Sequence, residues 1–234
     1  MVEQGKMTAA LVVGAGQGIR MGTKEKKQYM VIGDRPVLAH TLVAFEKCYL
    51  IAESFVVIPE GDDRFCRKEI IEPLKLTKPV HLVSGGPTRQ ASVYEGLKAM
   101  DGRFDLVVIH DAVRPLVRTE QIVDCVKTAE QYGGCIVATG ATDTVKTVNE
   151  NDQVVVTMKR LLIRMAQTPQ AFHYDLIAKA HETALVEAYE GTDDAQLVEL
   201  MGELVKVIPG DPYNIKITRP EDLVLAEALL SVRQ

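Results

Sequence analysis

The chain lacks most of what marks a membrane, redox, metal or nucleic-acid protein. No stretch approaches the roughly 18 consecutive apolar residues that a membrane span needs. The opening MVEQGKM has no apolar core of a secretion signal, so a cytoplasmic protein with no membrane partner is expected. The four cysteines Cys48, Cys66, Cys125 and Cys135 show neither C-x-x-C spacing nor histidines at ligand distance. Reduced, buried thiols follow from that, rather than zinc or a redox pair. Excess basic charge is missing too. A net charge of −5 and a pI near 5.6 argue against a nucleic-acid binder, which needs a basic face. Repeats, low-complexity segments and linkers are also absent. What remains, 234 residues at 47 % apolar and 25 % charged, suits one α/β domain with a sizeable core.

Strand and helix patterns alternate along the chain. Ala9–Val13, Ser54–Pro59, Val80–Gly86, Phe104–Asp111 and Gly134–Gly140 are short, β-branched and non-alternating, the pattern of strands buried on both faces. Helical spacing fills Pro36–Cys48, Asp62–Lys75, a stretch that Thr88 can cap through about Met100, and Thr119–Tyr132 between them. The fold expected is α/β, a Rossmann-like, mostly parallel sheet with helices on both faces. Ligands of such sheets bind beyond the carboxyl ends of the strands. From Asp143 to Met158 the rhythm changes to a β-hairpin turning at Asn149–Asp152. Two strands alone are marginal, so this excursion must lie on its own sheet or reach another subunit. Helices near Tyr174–Tyr189 and Thr192–Met201, strands at LVKVIP and NIKIT, and a helix from Pro220 to about Val232 complete the chain.

The first strand breaks into Gly14-Ala15-Gly16-Gln17-Gly18. Between Gly14 and Tyr29 the cations Arg20, Lys24, Lys26 and Lys27 face the single acid Glu25, a local inversion of an acidic chain. Glycines let backbone N–H groups approach an anion, and the cations surround the same place, which points to a polyphosphate. A glycine turn followed by a solvated charge run is the competing reading. The loop is not a P-loop, because Gly22 is followed by Thr23. A dinucleotide loop fails at its third glycine, where Ile19 or Met21 stands.

Asp111 ends a strand at the same edge. It is placed to hold Mg²⁺, which takes one or two carboxylates plus phosphate oxygens, or else to cap a turn. Arg114 offers a planar fork suited to phosphate. Gly85-Gly86 with Arg89 and Ser92 can hold a base or ribose, or form a plain turn into a helix. Lys216 and Arg160 are single cations among apolar residues, open to a surface reading as well. His110 beside Asp111 points to the other face of its strand, against an acid–base pair.

The series G-A-G-Q-G-I-R-M-G with K-Q-Y, then S-G-G-x-x-R-x-x-S-V, H-D-A-V-R-P, D-T-V-K, Q-T-P-Q-A-F, G-T-D-D-A and N-I-K-I-T-R-P-E-D-L resembles the 2-C-methyl-D-erythritol 4-phosphate cytidylyltransferase family over nearly the whole chain. The resemblance implies a single nucleotidyltransferase domain over 1–234 with a dimerisation arm at about 141–163. It further implies transfer of CMP from CTP to the sugar-alcohol phosphate with Mg²⁺. Arg20 and Lys27 would then stabilise the phosphates. The Gly14, Ala15, Gly16 and Gly18 backbone, Gly86, Arg89 and Ser92 would meet the cytidine, and Asp111 the metal. Arg114, Thr144, Thr168, Arg160 and Lys216 would meet the second substrate, some of them across a homodimer. Departures from the family pattern are Gly14 for alanine, Lys26 for the proline before Lys27, and Lys159 and Arg164 near Arg160.

A ribitol-5-phosphate cytidylyltransferase shares H-D-A-V-R-P and Q-T-P-Q. An NAD(P)-dependent oxidoreductase would use Asp34 as its ribose-binding acid, and a non-catalytic nucleotide sensor would bind CTP without turnover. No Ser–His or Cys–His nucleophile pair is offered, and none is needed by an acceptor phosphate that is already anionic near neutral pH, its second pKa being about 6.

Overall fold

The computed structural model describes residues 6–16 and 26–232. Strand β1 (Thr8–Val13) lies at the heart of the molecule, every residue buried. It leads past the two-residue strands β2 (Val31–Ile32) and β3 (Arg35–Pro36) into α1 (Val37–Lys47) and β4 (Ile51–Ile58). Next come α2 (Asp63–Phe65), a π-helical stretch over Cys66–Ile71, and α3 (Glu72–Leu74). Then follow β5 (Val80–Ser84), α4 (Arg89–Met100), β6 (Leu106–Asp111), α5 (Thr119–Tyr132) and β7 (Gly134–Gly140). After the hairpin strands β8 (Lys146–Val148) and β9 (Val154–Thr157), the chain continues through β10 (Arg164–His173), α6 (Tyr174–Val186), α7 (Asp194–Leu200), β11 (Lys206–Pro209) and α8 (Pro220–Val232).

The main sheet has the order β11-β7-β10-β6-β1-β4-β5. Pairings are parallel except those of β10, which runs antiparallel between β6 and β7. Alternate residues of β1 feed two cores. Ala10 and Val12 join Leu38, Leu42 and Phe45 of α1 and Ile122 of α5. Ala9, Leu11 and Val13 join Val93 and Leu97 of α4, Ile177 of α6 and Leu197 of α7. That double covering explains the absence of polar alternation in the strand sequences. A Cβ at Gly96 would meet Leu11 Cδ1 at 2.3 Å, so α4 rests on β1 with only hydrogen between them.

QTPQAF forms the body of β10; its Gln170, Ala171 and Phe172 occupy the ladder beside β6. NIKIT is not a strand, because both edges of β6 are taken by β1 and β10. It crosses the sheet's end as an extended segment, pinned by Ile217 N–H to Val113 O at 2.9 Å. The hairpin pairs only with itself, and both its strands are exposed, so it does not lie on the main sheet.

Candidate active site

Val13 and Asp111 are register partners, so β1 and β6 end side by side. Just beyond, Gly14 N–H donates to Val57 O at 2.8 Å. The Gln28 amide donates to Gly14 O at 2.7 Å and Gly16 O at 3.3 Å, tying the glycine loop to the K-Q-Y turn. At the end of β5, Ser92 Oγ accepts Gly86 N–H at 3.2 Å and donates to Thr88 O at 2.8 Å. Thr88 in turn caps α4 through Ala91 N–H, as its position before the helical spacing led us to expect. A Cβ at Gly85 would meet Ala15 Cβ at 2.2 Å, so the two loops touch because neither carries bulk there.

These ends enclose a cavity of about 400 Å³. Gly14, Ala15, Gly16, Lys27, Gly86, Arg89, Ser92, Asp111 and Lys216 all line it, bringing together residues separated by up to two hundred positions. An adjoining cavity of about 230 Å³ adds Arg114 and Thr168 while sharing Arg89, Asp111 and Lys216. Arg20, Gly18 and Lys24 lie outside the described residues. Thr144 and Arg160 stand on the exposed arm, where Arg160 Nη1 donates to Thr142 O at 2.9 Å, and neither lines these two cavities.

Asp111 is the electrostatic centre. Its Oδ1 lies 3.1 Å from Arg89 Nε, and its Oδ2 lies 2.9 Å from Lys216 Nζ and 3.5 Å from Arg114 Nε. Burial alone would raise this carboxyl's pKa, yet Arg89, then Lys216 and Arg114, hold it well below the usual carboxylate range. Arg89 reaches a second buried acid, Asp194, at 2.8 Å. The Asp194 carboxyl is likewise held low despite burial, by Arg89 first and then His181, whose Nε2 lies 3.4 Å away. Arg114 also donates to Asn214 O at 2.7 Å, which anchors the segment that carries Lys216.

His110 takes no part in acid–base chemistry. It is fully buried, and desolvation lowers its pKa to about 4. As a neutral ring its Nε2–H donates to Arg114 O at 3.2 Å, and its Nδ1 accepts from Thr168 Oγ1 at 3.0 Å. Thr168 Oγ1 accepts Asp111 N–H at 3.0 Å, so the threonine locks the end of β6 as well as lining the second cavity.

Several sequence readings are redirected. Lys26 is not simply solvated; its Nζ lies 2.6 Å from Asp62 Oδ2. Asp34, the acid that a dinucleotide reading requires, sits exposed on the β2–β3 turn, forks onto Arg35, and lines neither cavity. Gln28, Asp194 and His181 were missed. Gln28 and Asp194 stand inside quoted motifs, K-Q-Y and G-T-D-D-A, but nothing local shows that one ties a loop and the other holds an arginine. Among the described residues one carboxylate, Asp111, lines the first cavity, Asp193 joins it in the second, and no group of three or more His, Cys, Asp or Glu able to hold an ion occurs. That donor set fits Mg²⁺, which keeps waters and takes phosphate oxygens around one protein carboxylate. It does not fit an all-protein cage.

Comparison with known proteins agrees with this architecture. The family model described as 2-C-methyl-D-erythritol 4-phosphate cytidylyltransferase matches residues 8–232. The protein of that name from Geobacter metallireducens is 46 % identical over 224 residues, covering 94 % of this chain and 96 % of its own. The one from Desulforamulus reducens is 43 % identical, covering 96 % of each. Among solved structures, 4-diphosphocytidyl-2C-methyl-D-erythritol synthase from Anaerococcus prevotii superposes with a TM-score of 0.87 at 37 % identity, covering 97 % of each chain. The Thermus thermophilus cytidylyltransferase gives 0.77 at 32 %, covering 95 % of this chain and 98 % of its own. With family model, sequence relatives and fold in agreement along nearly the full length, the chain belongs to the 2-C-methyl-D-erythritol 4-phosphate cytidylyltransferase family.

Proposed function

We propose that this chain transfers CMP from CTP to 2-C-methyl-D-erythritol 4-phosphate, giving 4-diphosphocytidyl-2-C-methyl-D-erythritol and pyrophosphate. The observation that carries this reading is the convergence of bare loop backbone (Gly14–Gly16, Gly86) and three cations (Lys27, Arg89, Lys216) on one cavity at the end of β1 and β6. A phosphate oxygen of the acceptor attacks the α-phosphorus of CTP in line, and the bond to the leaving pyrophosphate breaks. Because the acceptor phosphate is already an anion near neutral pH, its second pKa being about 6, no general base is needed. The barrier is anion–anion repulsion and charge growth on the α-phosphate and pyrophosphate, which fixed cations counter.

Within this scheme Arg20 and Lys27 stabilise the reacting phosphates. The glycine-loop backbone, Gly86 and Arg89 hold the cytidine side, and Ser92 shapes the loop through its bonds to Gly86 and Thr88. Lys216, with Arg114 and Thr168 beside it, holds the incoming phosphate in line. Asp111 would hold a bound Mg²⁺, which would supply withdrawal of charge from the phosphoryl oxygens. The arm at about 141–163 embraces a second subunit, bringing Arg160 and Thr144 to the partner's acceptor pocket. Its exposed Val154, Val155, Leu161 and Leu162 support that reading, since apolar side chains at 61 to 84 % exposure otherwise face water. The domain is one unit over 1–234.

Pyrophosphate release from CTP, measured with a panel of acceptors, tests the proposal. Turnover with 2-C-methyl-D-erythritol 4-phosphate is expected. Turnover with ribitol 5-phosphate alone would overturn the choice of acceptor, and silence with every acceptor would overturn the activity.

A further inference from the structure

The K-Q-Y turn is held from outside the cavity by one carboxylate. Asp62 Oδ2 receives Lys26 Nζ at 2.6 Å and Tyr29 Oη at 2.9 Å. Between the two donors, Tyr29 N–H closes the turn onto Lys26 O at 2.8 Å. The Tyr29 ring packs against Phe65 with centroids 5.0 Å apart. Asp62 is itself fixed: its N–H donates to Pro59 O at 3.2 Å, and its carbonyl accepts Cys66 N–H at 2.8 Å where the helical stretch begins. The four turn residues therefore divide their labour. Lys26 and Tyr29 face Asp62, Gln28 faces the glycine loop, and Lys27 faces the cavity. A lysine ammonium sits at the end of a flexible four-carbon stem, so the position of its backbone sets where that charge can reach. The pair is partly shielded, the side chains of Lys26 and Asp62 being 28 % and 19 % exposed, which reduces screening by salt.

We infer that Asp62 is a positioning residue for the reaction: by holding Lys26 and Tyr29 it fixes the turn that aims Lys27 at the phosphates. The inference rests on the proposed role of Lys27. It also gives Lys26 a function, since its cation is spent on the turn and adds nothing to the charge lining the cavity.

The test is a double-mutant cycle on kcat and on KM for CTP, with a Tm for each variant. Asp62→Ala is expected to lower kcat about tenfold or more while KM moves less, because placement matters most in the transition state. In that background Lys27→Ala should cost at most about threefold, against its full loss in the wild type, because a misplaced lysine has little left to lose. Lys216→Ala, on a different segment, should multiply with Asp62→Ala in the ordinary way. If Asp62→Ala does not fold, the same cycle is run on Lys26→Met with Tyr29→Phe, which removes both donors and leaves the helical stretch intact. Lys27→Ala multiplying like Lys216→Ala would overturn the inference alone. Lys27→Ala within tenfold of wild type would instead remove the proposed role of Lys27, and the inference with it.

Discussion

At the scale of single residues, the site is a charge network before it is a binding pocket. Asp111 and Asp194 are buried to 5 % and 1 % exposure and share Arg89 between them. Isolated, each carboxylate would be expelled or protonated; paired, both stay ionised. The pKa of both groups is lower folded than in the unfolded chain, where an aspartate sits at about 3.9. Below that value the unfolded chain binds more protons than the folded one, so stability rises with pH there. The contribution is complete above the unfolded value and is lost as pH falls through the folded one. Urea unfolding at a series of pH values should show this. Asp111→Asn should be less stable than wild type at pH 7, and the two curves should converge as pH falls below about 4. Parallel curves down to pH 2 would show that Asp111 carries no such linkage. His110 contributes in the same sense at higher pH: desolvation lowers its pKa to about 4, below the ordinary histidine value of about 6.5, so its contribution is complete above the unfolded value and is lost as pH falls toward the folded one.

At the scale of elements, two features carry predictions. The first is the contact between the β1 and β5 loops. Adding a methyl at Gly85 brings Cβ to 2.2 Å from Ala15 Cβ and 2.9 Å from Ser92 Oγ, with no flexible chain end to move aside. Gly85→Ala should lower stability by about 1–3 kcal/mol and weaken CTP binding, read by denaturant titration and by calorimetry with CTP. The second is the arm. Leu161 and Leu162 are 84 % and 77 % exposed on the 3₁₀ turn Arg160–Leu162 that follows the hairpin, and two strands alone are marginal in water. If the arm embraces a second subunit as proposed, replacing both with glutamate should shift sedimentation velocity from dimer to monomer and reduce turnover with the acceptor. A dimer that survives the substitutions would place the interface elsewhere.

The elements also show why some of the molecule was legible in its sequence. The strands that reach the site, β1, β4 and β6, are two-sided and β-branched, so composition alone located them. The helix from Arg89 to Met100 begins at its cap Thr88, because a hydroxyl before a helical repeat is a local signal. What escaped was set by tertiary position. The β10 sequence contains Pro169 and polar Gln167 and Gln170, residues that argue against a central strand. Yet Gln170 is buried because its amide reaches Asp193 at 2.8 Å. NIKIT looks like a strand and is not, since no sheet edge is open beside β6. Of the motif residues read as site residues, Gly14, Ala15, Gly16, Lys27, Gly86, Arg89, Ser92, Asp111 and Lys216 line the first cavity and Arg114 and Thr168 the second, whereas Thr144 and Arg160 line neither; Asp194, Gln28 and Asp62 act through partners that no local pattern reveals.

At the scale of the whole molecule, the sign of the charge is reversed between surface and cleft. The chain carries −5 overall and should repel a nucleoside triphosphate at long range. The first cavity, by contrast, presents Lys27, Arg89 and Lys216 against Asp111 among the described residues, and the adjoining one adds Arg114 and Asp193. Low-dielectric walls focus that local field, while the opposing surface charges are spread out and well hydrated. The two fields differ in range, so salt separates them: at 0.1 M the Debye length is about 10 Å, enough to screen a distributed surface but less so a partly buried cleft. If focused attraction governs capture, kcat/KM for CTP should fall steadily between low salt and 0.5 M NaCl while kcat changes far less. Lys216→Ala should flatten that slope by removing a cleft cation that is 36 % exposed. A rise of kcat/KM with salt would mean that the acidic surface, not the cleft, sets the rate of encounter.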